Sequence, residues 1–245
     1  MLFTVFAFSP IPDVPTARRN FQLQDLSEKE VGKVLYHQRK QRTGHSEALN
    51  WDQLRIASVS MVHYSLDYVE MRSHTLGEMN ESALINRFYN ARTGTLVSWG
   101  GNSDALPLLH FRCMQHRISD QAYWQAEKKG QPSHIDLREA LLPAAAEAPR
   151  MESLARRFHY PGMLGTDIDS VWDAYLQEDF EGVVRYSDYL ALNTYLLALQ
   201  ILALRGEMSY ADAARARLKL RDYLISHPLA PARYEDFLQA WEDRA

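Results

Sequence analysis

Few residues in this chain of 245 have both the type and the spacing that chemistry requires. Gly100-Gly101-Asn102-Ser103 lies where a strand hands over to a helix, the usual place for a phosphate-cradling loop. It lacks the glycine spacing of a dinucleotide loop and the lysine of a nucleotide loop, so it reads as a turn. His110 and His116 do not share a helical face, and with His134 and His159 they make no metal-ligand spacing. Cys113 sits inside an apolar helix and reads as core rather than nucleophile. Arg215, Arg217, Lys219 and Arg221 crowd one late helix, which reads as a solvated face rather than a docking patch.

Composition narrows the field. The chain is 46% hydrophobic and 24% charged, ordinary for a globular protein, and its length suits one large or two small domains with a sizeable core. A net charge of −4 supplies no global basic field, so nucleic acid would need a local patch or a groove that does not repel phosphate. A single cysteine excludes an internal disulfide and fits a reducing cytoplasm. The apolar N-terminus lacks a basic flank and a cleavage site, so it reads as a strand and not a signal peptide. The apolar run from Leu190 to Leu204 is flanked or interrupted by Arg185, Asp188, Asn193 and Gln200. It reads as a core helix, and no membrane is expected.

The elements that must position any site follow from periodicity. Leu2, Phe3, Val5, Phe6 and Phe8 are nearly continuously apolar, as in a strand buried on both faces, with Pro10 and Pro12 expected to end it. Ser27 and Glu30 form a capping box for a helix to about Gln41. Leu54–Tyr64 alternates as a strand, with Tyr68–Thr75 its hairpin partner. A helix capped by Asn80 or Ser82 runs to Asn90, a short strand spans Thr95–Trp99, and a helix spans Asp104–His116. Tyr123–Ser133 reads as a polar connector, His134–Leu137 as a short strand, and Pro143–Pro149 as a linker. Helices follow over Met151–Phe158, Asp169–Leu176, Glu181–Arg205, Tyr210–Ile225 and Tyr234–Trp241. Strands early and helices late predict one α/β domain around a mixed central sheet, with a helical extension from about residue 207.

Five blocks in order carry a family pattern: Phe6–Val14 (FxxxxIPDV), Thr95–Arg112 (TLVSWGG…ALPLLHFR), His134–Leu137 (HIDL), Ser153–Leu176 (SLARRFHYPGMLG…VWDAYL) and Arg185–Leu196 (RYSDYLALNTYL). Together they resemble the predicted exonucleases related to the 3′–5′ proofreading domain of family B DNA polymerases, within the ribonuclease H-like superfamily. The resemblance runs from residue 2 through Gly206 and on towards Trp241. It implies a ribonuclease H-like sheet with the first strand central.

An intact member would carry Asp-Ile-Glu-Thr on the first strand, and the strand-turn-helix after Trp99 would supply a second Asp. A late helix would add a Tyr and, four residues on, a third Asp. These carboxylates hold two divalent metals, Mg²⁺ or Mn²⁺, that activate water and stabilise the leaving 3′ oxygen. Here the aligned positions are Ala7, Ser9, Ala105 and Leu190, while Tyr186 is retained. Asp104 and Asp188 lie nearby, but a two-residue helical offset turns a side chain by about 200°. Asp13 reads as a turn or capping residue and Asp136 as structural. No cofactor is therefore expected, unless Asp13, Asp104 or Asp188 rearranges into a working Mg²⁺ or Mn²⁺ site.

Removing the acids would leave a neutral pocket able to hold the end of single-stranded DNA or RNA without cutting it. Trp99, Asn102 and Tyr186 are the binding candidates. Core packing is the simpler role for Trp99, whereas Tyr186 suits stacking or packing equally. The connector is shorter than the family's insert, which implies a trimmed substrate-facing loop. Three functions remain open: a silent exonuclease relative binding nucleic acid or scaffolding a DNA- or RNA-processing system with a protein partner; a working metal-dependent 3′–5′ exonuclease with rearranged ligands; or an interaction module using its late helices.

Overall fold

The computed structural model describes residues 1–128, 134–141, 149–228 and 233–242. Its centre is strand β1 (Phe3–Pro12), in a five-stranded mixed sheet of order β3-β2-β1-β4-β5. β2 (Leu54–Tyr64) pairs antiparallel with β1 and with β3 (Val69–Thr75). β4 (Thr95–Ser98) pairs parallel with β1 and with β5 (His134–Asp136). This is the ribonuclease H-like arrangement that the resemblance implies.

Period-2 alternation on β1 builds two layers at once. Phe3, Val5 and Ala7 face the layer beneath helix α9 (Phe180–Leu204). Phe6 and Phe8 face α3 (Glu81–Ala91) and α4 (Ala105–His116). Most of α9 is buried around its whole circumference, so a helix long and apolar enough to cross a membrane is packed inside protein instead. α10 (Tyr210–Ser226) and α11 (Glu235–Glu242) supply Leu220, Leu224, Phe237 and Trp241 to that same core. The C-terminal helices therefore share the sheet's core rather than hang from it.

β1 ends at Pro12, as its prolines predict, but both prolines still lie within it: Pro10 pairs with Ile56 and Pro12 with Leu54 after a register shift at Ser9/Pro10. Beyond Val5 the strand is paired on the β2 side alone, and a strand paired on one side tolerates a missing N–H. The Tyr123–Ser133 stretch is not simply a connector, because α5 spans Gln121–Lys128. Asp120 starts it, accepting from the Tyr123 amide at 2.8 Å while paired with Arg92. Residues 129–133 and most of the Pro143–Pro149 linker lie outside the described residues.

Candidate functional site

The C-terminal half of β1, with Ala7 and Ser9, meets the first turns of α9, which carries Leu190. Ala7 is buried in the α9 layer, with Leu190, Trp99 and Tyr186 packed half-buried against it. Ala105 opens α4 and packs against the opposite layer. Ser9 is fully buried, and its hydroxyl donates to the Val183 carbonyl of α9 at 2.7 Å.

That bond is the first in a seam of hydroxyls between sheet and helix. Ser58 and Ser60, two apart on β2, share a face and lie 2.7 and 2.8 Å from the Ser187 hydroxyl. Ser60 and Ser73 both donate to Asp188 Oδ1 at 2.5 Å. Asp188 Oδ2 has no hydrogen-bond partner among the described residues and sits 4.0 Å from Arg233 Nε. Burial raises the Asp188 carboxyl to about 6, against the pull of both hydroxyls and Arg233. The seam joins three strands to one helix, and Asp188 is built into it rather than facing Leu190's side.

At the other flank, Gly100–Asp104 is a turn held by Asp136, whose carboxylate accepts from the Gly100 and Asn102 amides at 2.9 Å each. Gly100 has φ +72, and a Cβ on Gly101 would stand 2.0 Å from Ser98 Oγ, so both turn positions require glycine. Asn102 is exposed, but its side chain already bonds Glu139 at 2.6 Å and His134 at 3.1 Å. Ser98 Oγ lies 2.7 Å from His134 Nε2, so Ser98, His134 and Asn102 form a relay of the kind that activates nucleophiles. Ser98 is only 2% exposed, closed over by Gly101, and cannot reach a substrate. The relay fixes the turn.

Asp104 is the exposed acid at this end, 3.9 Å from Arg138. Its charge reaches the Tyr186 hydroxyl, whose pKa is pushed to about 12 by burial first and then by Asp104 and Asp167. Tyr186 is therefore a neutral phenol at ordinary pH. Among the described residues no three His, Cys, Asp or Glu side chains stand together to hold a metal ion. Ala7, Ser9, Ala105 and Leu190, the positions to which the resemblance assigns the metal-binding acids, offer no carboxylate oxygen, so these four side chains do not fit a two-metal centre.

Sequence reasoning missed a buried ion cluster just behind this end. Arg112, 3% exposed, donates to Asp13 and, at 2.8 and 2.5 Å, to Glu81. Glu81 also accepts the Ile56 amide at 2.8 Å, next to the β1 register shift. Asp13 does cap α1 (Val14–Phe21), accepting from Thr16 N at 3.1 Å. Burial pushes the Asp13 carboxyl up, but Arg112 and the bonds to Thr16 outweigh it and hold the pKa below the usual range. An arginine on the apolar face of Leu108, Leu109 and Cys113 was the visible signal.

Comparison with curated proteins and with solved structures finds no match. A family model described as a predicted 3′–5′ exonuclease related to the exonuclease domain of PolB matches residues 46–241. The match takes in the turn after β4, all of α9 and the late helices. It starts after β1, so Ala7 and Ser9 lie outside the matched residues. With most of its length inside that match, the chain belongs to the family of predicted 3′–5′ exonucleases related to the PolB exonuclease domain.

Proposed function

We propose that this chain is a catalytically degenerate 3′–5′ exonuclease-like protein that holds the end of a single strand of DNA or RNA, or scaffolds a nucleic-acid-processing assembly with a protein partner. The observation that carries the reading is Ser9. Where an intact member would place a metal-binding carboxylate, a buried hydroxyl ties the central strand to the Val183 carbonyl. Ala7, Ala105 and Leu190 likewise put small or apolar groups where anionic oxygens would be needed. A site without those four charges repels phosphate less, and the partly buried rings of Tyr186 and Trp99 are where a base would stack.

Asp104 favours a second reading, a metal-dependent exonuclease with rearranged ligands, since an exposed carboxylate lies within electrostatic reach of Tyr186. Fluorescence anisotropy of a 3′-labelled single strand, followed with Mn²⁺ and with chelator, separates the two. The silent-binder reading expects a stable rise, equal in both conditions and weakening with salt as counterion release requires. A rise that collapses only with Mn²⁺ means cleavage, and the second reading replaces the first. No rise at all removes nucleic acid and leaves the scaffold.

A further inference from the structure

The helical side of the molecule carries a separate cleft of about 520 Å³, between the end of α7 (Met151–Arg157) and helices α10 and α11. Phe158, His159, Arg217, Leu218, Arg221 and Trp241 line it. Its volume falls within the span of about 300–1,000 Å³ typical of small-molecule sites. A smaller recess beside it shares Tyr160 and Arg217 and is lined by Gln200 of α9. Leu190 and Gln200 are separated by ten residues of one helix, about 15 Å of rise. The cleft is therefore distinct from the strand-end position, and a ligand here would bind whether or not a strand end is held there.

The lining combines exposed apolar surface with an uncommitted cation. Phe158 is 42% and Leu218 56% exposed, so both present ring or branched surface to a ligand. The one carboxylate among the described lining residues, Glu242, is already bonded to Arg221 at 2.5 Å. Arg217 is exposed and makes no salt bridge among the described residues.

His159 adds an independent observation. It follows α7 with φ +60, while Tyr160 N bonds the Ala155 carbonyl at 2.9 Å and His159 N bonds the Arg156 carbonyl at 3.2 Å. That is a helix stop whose left-handed residue is normally glycine. His159 takes this left-handed position, as Gln22 and Arg117 do at other helix ends, and it lines the cleft.

We propose that this cleft binds a nucleotide unit, its base against Phe158 and Leu218 and its phosphate on Arg217 and His159. Planar guanidinium and imidazole donors suit a phosphate, and the apolar wall suits a base. The unit can come from a free mononucleotide or from the terminal nucleotide of a strand.

The test is calorimetric titration of the full chain with AMP, and with a 5′-phosphorylated ten-nucleotide oligothymidylate, for wild type, Arg217→Ala and His159→Gly. Saturable binding of AMP or the strand is expected, weakened about tenfold by Arg217→Ala, the scale of one charge-assisted contact. His159→Gly is expected to weaken binding while its melting temperature holds or rises, which a merely structural histidine would not do. AMP binding without competition from the strand assigns the free nucleotide, and strand binding that falls in Arg217→Ala assigns the strand end. Two results overturn the proposal: no saturable binding of either probe, or binding that neither variant moves. Strand binding unmoved by both would leave the strand-end reading standing while removing this cleft.

Discussion

Asp188 shows how one side chain can set a pH response. Its folded carboxyl titrates near 6, above an ordinary value of 3.8, so the folded state holds a proton that the unfolded chain has released. Its contribution is fully present below about 3.8 and is lost as pH rises towards 6, for at most about 3 kcal/mol. Asp13 has the opposite sign, because its lowered pKa confines its loss of stability to pH values below its ordinary range. The two windows do not overlap. Asp188→Asn should therefore gain stability relative to wild type between pH 4 and 7, read from urea unfolding at each pH. A difference between the two proteins that stays constant over that range would mean Asp188 is not the titrating group. Arg112 predicts by the same logic: Arg112→Met strands two buried carboxylates and should cost about 3–5 kcal/mol in the same assay at pH 7.

At the scale of elements, the turn from Gly100 to Asp104 is the most tightly specified piece. Gly101→Ala pushes a methyl against Ser98 Oγ and should destabilise by about 1–3 kcal/mol. Ser98→Ala in the same chain should relieve part of that loss, and a double-mutant cycle with no coupling would refute the contact. The turn was legible from its glycines, and β2 was legible to the residue because Ser58 and Ser60 alternate with Val59 and Met61. α5 was not, since its polar composition hides a helix whose start depends on Asp120, a residue also paired with Arg92. Nor could the prolines of β1 be placed, because their tolerance depends on which edge of the strand lacks a partner. At the site, the family itself was legible from the ordered motifs. The serine seam was not, since Ser9 and Val183 stand 174 residues apart and only the assembled sheet brings them into contact.

For the molecule as a whole, the proposed degeneracy poses one question: whether only metal ligands are missing or the substrate path has gone as well. β1 pairs with both β2 and β4, so the strand carrying Ala7 and Ser9 is also the one that holds the sheet together. Restoring Ala7→Asp, Ser9→Glu, Ala105→Asp and Leu190→Asp together places charge into a layer where Ala7 and Ser9 are buried, and removes the Ser9 bond to Val183. Unpaired carboxylates there must destabilise the fold, and a divalent cation that binds only the folded state must restore it. The quadruple variant should therefore melt lower than wild type in chelator and recover with Mn²⁺, while wild type shows no such dependence. If the path for a strand survives, the Mn²⁺-loaded variant should also shorten a 3′-labelled single strand. Metal-dependent stabilisation without shortening would show that the carboxylate positions still converge but the route for a strand has closed, which favours the scaffold. A folded variant whose melting ignores Mn²⁺ would show that Ala105, packed on the far layer, does not meet the other three. The assignment of these four positions would then fail with it.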